Sequence, residues 1–290
     1  MTVASPALSL SPVRARDHIV DVLIAERAPT LAASPVWPVL RPLLYSFLDY
    51  GKARRMAEVI APLPGLAALH YVSDLLSVKV AVRGLDHVPP KGRLIVVCNH
   101  PTGIADGVAV YDALKAIRPD ICFYANSDAH RISPRFSEVL IPVEWVAAKR
   151  TRERTRETLL LTREALEAER CLVIFPAGRL ARRQSDGRLA DPPWAPSAVS
   201  LARRYEASIV PVHVAGPWSG LFHFFNRFST ELRDITLFHE LLNKRGRAFT
   251  LTLGSPIPPA ALDGEPADVA LRLKRFVERE LDRHSGRTFA

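Results

Sequence analysis

The chain is poor in cysteine, and the three it has, Cys98, Cys122 and Cys171, stand apart in apolar runs with no Cys-x-x-Cys spacing. This argues against a disulfide framework or a cysteine-built metal site and reads as buried free thiols in a reducing compartment. Long clean apolar runs are also missing. The 36–50 stretch is broken by Pro38, Arg41, Pro42 and Asp49, and the 56–76 stretch by Glu58, Pro62, Pro64 and Asp74. Neither supplies the roughly 20 apolar residues that span a bilayer. Residues 1–12 lack a cationic start followed by a long apolar core, which argues against a secretory signal. No Gly-x-Ser-x-Gly elbow occurs, since Gly216-Pro217-Trp218-Ser219-Gly220 has the wrong spacing for a hydrolase nucleophile. No glycine-rich nucleotide fingerprint follows a strand. His100, Asp106, Asp128, His130 and His213 are possible ligands, but no pair has a recognised metal spacing.

What remains is a globular chain with a basic surface. Its 290 residues, 48% hydrophobic and 24% charged, suffice for one substantial domain plus an appendage. The net charge of +9 favours anionic partners: phospholipid headgroups, phosphorylated substrates, an acidic carrier protein or nucleic acid. The absence of a recognition module, and of basic stretches interleaved with aromatics, argues against nucleic acid. Residues 1–76 read as a helical, proline-punctuated layer facing a membrane, with the two interrupted apolar stretches as short helices against a bilayer or the domain. From residue 77 to 290, apolar runs at 94–98, 121–125, 139–143, 172–175, 209–214 and 249–253 alternate with helical stretches, preceded by the period-two run at 78–83. This predicts an α/β domain with a mixed, mostly buried sheet flanked by helices. Helices are expected over 105–117, 151–169, 195–205 and 267–283, the last with Leu271, Leu273, Phe276, Val277 and Leu281 as its apolar face.

The chemistry concentrates at Asn99-His100-Pro101-Thr102-Gly103-Ile104-Ala105-Asp106-Gly107, directly behind the run Leu94–Cys98. A strand delivers His100 into a glycine-containing turn, and Asp106 follows six residues later at a helix start. Imidazole titrates near neutrality and can accept a hydroxyl proton, while a carboxylate can fix its tautomer. The plainer alternative is a polar strand-to-helix turn with Asp106 near the helix N-terminus. A Cys98/His100 nucleophile pair would need Cys98 at the mouth of the site, whereas the apolar run before it points to burial. Two further strands end the same way: Cys171-Leu172-Val173-Ile174-Phe175-Pro176-Ala177-Gly178-Arg179, and Ile209-Val210-Pro211-Val212-His213-Val214.

Together and in this order, these segments resemble the glycerolipid acyltransferase family of the 1-acylglycerol-3-phosphate type, over roughly residues 78–256. The likeness looks greatest to the bacterial hemolysin-like, ornithine-lipid acyltransferase subgroup. The resemblance implies His100 and Asp106 as catalytic residues. It also implies Asn99, Gly103, Phe175, Pro176, Gly178, Arg179 and Pro211 as substrate-binding residues, with neither metal nor cofactor. It implies transfer of a fatty acyl group from acyl-CoA or an acyl-carrier protein to the hydroxyl of a lyso-lipid or glycerolipid. Such an enzyme would work on an anionic membrane surface, as a peripheral protein on the cytoplasmic face of the inner membrane. Two rival readings are a thioesterase or other hydrolase, and a non-catalytic membrane-binding protein retaining the fold.

Two departures from the family pattern stand out. Five residues separate His100 from Asp106 where four are usual, and Ala177 and Arg179 replace the usual Glu and Thr. The first is tolerable if the Gly103 turn absorbs the extra residue. The second shifts the expected acceptor away from a simple glycerol phosphate. Arg182, Arg183 and Arg188, in the loop that follows, are further candidates for anionic contacts. Trp218, Leu221, Phe222, Phe224, Phe225 and Phe228 form an aromatic patch that suits either core packing or an acyl-chain groove or membrane edge.

Overall fold

The computed structural model describes residues 17–144, 150–184, 187–281, 284 and 286–289. Residues 1–12 and the last two positions of the expected 267–283 helix lie outside the described residues.

Nine strands are found among the described residues. They are β1 (Lys79–Arg83), β2 (Leu94–Cys98), β3 (Cys122–Asn126), β4 (Leu140–Val143), β5 (Cys171–Ile174), β6 (Arg182–Arg183), β7 (Leu189–Ala190), β8 (Ser208–Ala215) and β9 (Ala248–Leu253). Seven form one sheet in the order β1-β9-β8-β2-β5-β3-β4, while β6 and β7 make a separate small hairpin. Strands β8, β2, β5, β3 and β4 run parallel. β9 then pairs antiparallel with β8, and β1 parallel with β9. The domain is therefore α/β with a mixed, mostly parallel sheet. β2 and β5 are buried at every position, as central strands covered on both faces must be.

Side-chain alternation divides the core in two. Leu94, Val96 and Cys98 face one apolar cluster, and Ile95 and Val97 face the other. Helices α1 (Ile19–Arg27), α2 (Pro29–Ala32), α3 (Trp37–Phe47), α4 (Tyr50–Ile60) and α5 (Gly65–Leu76) precede the sheet. Val20, Leu23, Met56, Ile60 and Leu76 from this group sit in the first cluster with β2. That cluster also takes α6 (Ile104–Leu114). After α7 (Asp128–Ile132) come α8 (Arg152–Glu167) and α9 (Ser197–Arg204), which cover the second face. Helices α10 (Gly220–Phe225), α11 (Thr230–Asp234) and α12 (Leu237–Leu242) link β8 to β9, and α13 (Pro266–Arg275) closes the second face.

One expectation is corrected. Leu271 is exposed rather than on the apolar face of α13, whereas Val269, Ala270, Leu273, Phe276 and Val277 are buried. At 3.6 residues per turn, Leu271 lies about 200° around the helix from Leu273. Arg154, near the start of α8, reaches Glu144 at 3.0 Å. The aromatic segment is mostly surface: Trp218, Phe224 and Phe228 are exposed, with the last two rings 5.0 Å apart. Helix α3 buries no residue and presents Val39, Leu43 and Phe47, with Val36 just before it, to the outside. No helix among the described residues is long and apolar enough to cross a membrane.

The N-terminal ends of the central strands are locked by Arg118. Its fully buried guanidinium binds Asp120 at 2.6 Å and the carbonyls of Pro89, Gly92 and Glu169. The opposite, C-terminal ends of the parallel strands are left to open into turns, the usual place for a site in an open α/β sheet.

Candidate active site

β2 ends at Cys98, whose side chain belongs to the first core cluster; burial pushes its thiol well above its ordinary range. A thiolate nucleophile there is disfavoured, as the sequence led us to expect. Asn99 is buried and clamps the end of β2 to β8: Nδ2 donates to the Val214 carbonyl at 3.0 Å, and Oδ1 accepts from the Val214 N–H at 2.6 Å. Its amide is thus engaged by the scaffold.

His100 comes next, at the mouth. Its Nδ1 lies 2.9 Å from Asp106 Oδ2, and its ring packs on Phe175 with centroids 4.5 Å apart. Asp106 is completely buried at the third position of α6. Its Oδ2 also accepts the N–H groups of Thr102 and Gly103 at 2.9 and 3.0 Å, and Oδ1 accepts the Thr102 hydroxyl at 2.5 Å. A carboxylate surrounded by donors acts as an acceptor, so the proton between the pair belongs on His100 Nδ1. Nε2 is then the basic ring atom. It has no hydrogen-bond partner among the described residues and is not a buried unpaired atom, so it faces accessible space.

The extra residue between His100 and Asp106 is accommodated by Gly103, at φ 100° and ψ −146°, a conformation open essentially to glycine alone. A side chain there would also crowd Leu180, 3.3 Å away.

β5, parallel and adjacent to β2, delivers the second motif to the same end of the sheet. Phe175 turns through Gly178, at φ 63°, whose N–H donates to the Phe175 carbonyl at 3.0 Å. Pro176 is buried and its carbonyl is held by the Ala195 N–H. Arg179 is exposed and makes no hydrogen bond or ion pair among the described residues. Pro211 stands apart from this group. It lies inside β8 opposite Val97 and packs near Gly254 and Leu281 in the second core. The possible metal ligands do not converge either: Asp128 pairs with Arg27 at 2.7 Å, and His213 bonds the Val277 carbonyl. No group of three or more His, Cys, Asp or Glu among the described residues could hold a metal.

One residue beside the site escaped the sequence reading. Asp191, nearly buried, points both carboxylate oxygens at the His100 N–H, at 3.1 and 3.2 Å, and accepts the Trp194 indole N–H at 2.9 Å. Burial pushes its carboxyl up to about 6, against the opposing effect of Trp194 and His100. The only sequence signal was an Asp in a Gly/Pro-rich loop, which has no distinguishing spacing.

A histidine base with a buried carboxylate behind it, at the C-terminal end of a mostly parallel sheet, fits proton abstraction from a hydroxyl. Residues 79–215 match the model of the Acyltransferase family. The chain is similar to the lyso-glycine lipid O-acyltransferase of Phocaeicola vulgatus, 28% identical over 69% of this chain and 71% of that protein. The protein of the same name from Bacteroides thetaiotaomicron is 26% identical over 73% of this chain and 79% of its own. The solved 1-acyl-sn-glycerophosphate acyltransferase of Thermotoga maritima aligns with 93% of this chain and 99% of its own, with 15% identity and a TM-score of 0.45.

Proposed function

We propose that the protein is an O-acyltransferase that moves a fatty acyl group from an acyl thioester, acyl-CoA or acyl-carrier protein, to the hydroxyl of a lyso-lipid. The observation that carries this reading is the His100 Nδ1–Asp106 Oδ2 contact of 2.9 Å with Nε2 left free. Nε2 takes the acceptor's hydroxyl proton as its oxygen attacks the thioester carbonyl. The tetrahedral intermediate then expels the thiolate, which recovers the proton from the imidazolium. Asp106 keeps Nδ1 protonated and offsets the positive charge formed on the ring. General-base help of this kind is worth about 10²–10⁴-fold; alignment of the two substrates supplies the remainder.

The acceptor we favour is a lyso-lipid with an amino-acid headgroup. Ala177 removes the carboxylate usual in the family, and the free guanidinium of Arg179 at the same turn suits a headgroup carboxylate through a bidentate contact. The names of the two relatives point to the same acceptor class. We further propose peripheral attachment to an anionic membrane on the cytoplasmic face of the inner membrane. Support comes from the net charge of +9 and the exposed apolar stripe of α3.

The test is thiol release from palmitoyl-CoA and from a palmitoylated acyl-carrier protein, with lyso-glycine lipid, lyso-ornithine lipid or lysophosphatidate as acceptor. Release dependent on an amino-acid lyso-lipid and lost in His100→Ala supports the reading. Release without acceptor would mark a thioesterase, and wild-type turnover by His100→Ala would remove the mechanism.

A further inference from the structure

The chain leaves β5, runs through the β6–β7 hairpin and returns to α9, and the two ends of this excursion grip one residue. At its start the Ala181 N–H donates to the His100 carbonyl at 2.8 Å; at its end Asp191 accepts from the His100 N–H. Both backbone polar groups of His100 are thereby held by the same loop. The second anchor is itself anchored. The Asp191 N–H donates to Glu278 Oε1 at 2.7 Å, and Glu278 Oε2 accepts from Lys274 at 2.6 Å. The position of the His100 backbone is thus fixed, through Asp191, to the C-terminal helical segment on the second face of the sheet.

We infer that Asp191 is a positioning residue for the acyl-transfer reaction, its carboxylate holding the backbone of His100 while Asp106 holds the ring. The inference rests on the His100 base reading above. Two carboxylates on one histidine divide the work: one sets tautomer and charge, the other sets where the ring stands relative to the attacked carbonyl. The ionised carboxylate serves its donors, His100 N–H and Trp194 Nε1–H, with two unprotonated oxygens and a full negative charge, and so holds them more strongly than the neutral acid does. Protonation turns one oxygen into a donor facing an environment that already supplies N–H groups, and the grip on His100 weakens.

The titratable and charged groups around Asp191 are His100 and Cys98 on the β2 side and Glu278 from the segment after α13, with Lys274 paired behind Glu278. Asp106 lies across the imidazole. Burial, with a smaller contribution from Glu278, pushes the Asp191 carboxyl up, to about 6. Protonation therefore falls within reach of a mildly acidic assay.

The experiment compares kcat and its pH profile in the wild type, Asp191→Asn and Trp194→Phe, using the full chain with a palmitoyl thioester and lyso-glycine lipid. Asp191→Asn presents an amide N–H to a donor site and should lower kcat by about 10- to 100-fold, the scale of a misplaced catalytic group. The KM for the acceptor should change less than about 3-fold, since the substrate does not touch this carboxylate. The wild-type acid limb should be steeper than that of Asp191→Asn, which lacks the carboxyl that takes up a proton in this range. Trp194→Phe removes a donor from the charged carboxylate and should move the acid limb to higher pH. An acid limb identical in all three proteins would overturn the inference even if kcat fell, because a merely structural aspartate would behave that way. If Asp191→Asn fails to fold, Trp194→Phe decides alone by whether its acid limb moves. An inactive His100→Ala alongside a wild-type-like Asp191→Asn overturns only this inference; an active His100→Ala overturns the base reading beneath it.

Discussion

Asn99 and Val214 exchange two hydrogen bonds, side-chain amide to backbone, as one residue of a ladder exchanges with another. The pairing ties the end of β2 to β8 beyond their last register pair, Cys98↔Val212, and fixes the direction in which the chain enters the His100 turn. Asn99→Asp keeps the acceptor but places an oxygen against the Val214 carbonyl. It should lose about 1–3 kcal/mol of unfolding free energy in urea denaturation, the cost of an unsatisfied buried group, and lower kcat as well. Asn99→Asp with wild-type stability would show that the clamp does not hold the turn.

Asp106→Asn is a cleaner substitution than its four donors suggest. The amide oxygen can take the Oδ2 position, and the amide N–H₂ can donate to the Thr102 hydroxyl, which rotates to accept. The tautomer of His100 survives; the negative charge behind it does not. We expect kcat to fall by about 10²–10⁴-fold with a small change in Tm. Asp106→Ala orphans the Thr102 and Gly103 N–H groups and should lower both. Equal kcat in the two variants, together with equal Tm, would contradict the separate roles of charge and capping.

Gly103 and Gly107 offer a matched pair on one turn of chain. Gly103→Ala forces an alanine to φ 100° against Leu180 and should cost about 1–3 kcal/mol. Gly107 sits inside α6 with nothing near its missing Cβ, so Gly107→Ala should stabilise by about 0.5–1 kcal/mol. Thermal unfolding of both variants reads the contrast, and a gain in Gly103→Ala would refute the strain.

Removal of residues before Val78 is a poor test of membrane attachment, because Val20, Leu23, Met56 and Ile60 belong to the core shared with the sheet. The exposed stripe gives a sharper one. Leu43→Glu and Phe47→Glu replace side chains that are 66% and 61% exposed, so the fold and Tm should be unaffected. Flotation with anionic liposomes should be reduced only partly by salt in the wild type and strongly by the two substitutions. Undiminished flotation of the doubly substituted protein would move the contact elsewhere.

The sheet was readable because its strands are short apolar runs, and β2, β5 and β8 each carry a recognisable ending: Asn99-His100, Phe175-Pro176-Ala177-Gly178 and Val210-Pro211-Val212. The His100–Asp106 pair was readable for a local reason, as both lie on one turn and the start of one helix. Asp191 was not, since nothing in its neighbourhood reveals that a residue 91 positions earlier will donate to it. The reversal of β9 against β8 was equally hidden, because an apolar run does not encode its direction. For the same reason, the segment around Phe224 and Phe228 could be either core or surface until its neighbours were placed.

Strand β1 is made early and paired late. Lys79 meets Ala248 across the sheet, and β2 finds its two neighbours only when Cys171 and Ser208 have been joined to the chain. A nascent chain emerging from the ribosome therefore carries an unzipped apolar strand edge for most of its synthesis, and such non-local pairing is slow to assemble. Production of the protein in a host short of chaperones should yield aggregates of released full-length chains, whereas slower translation at low temperature should favour the native enzyme.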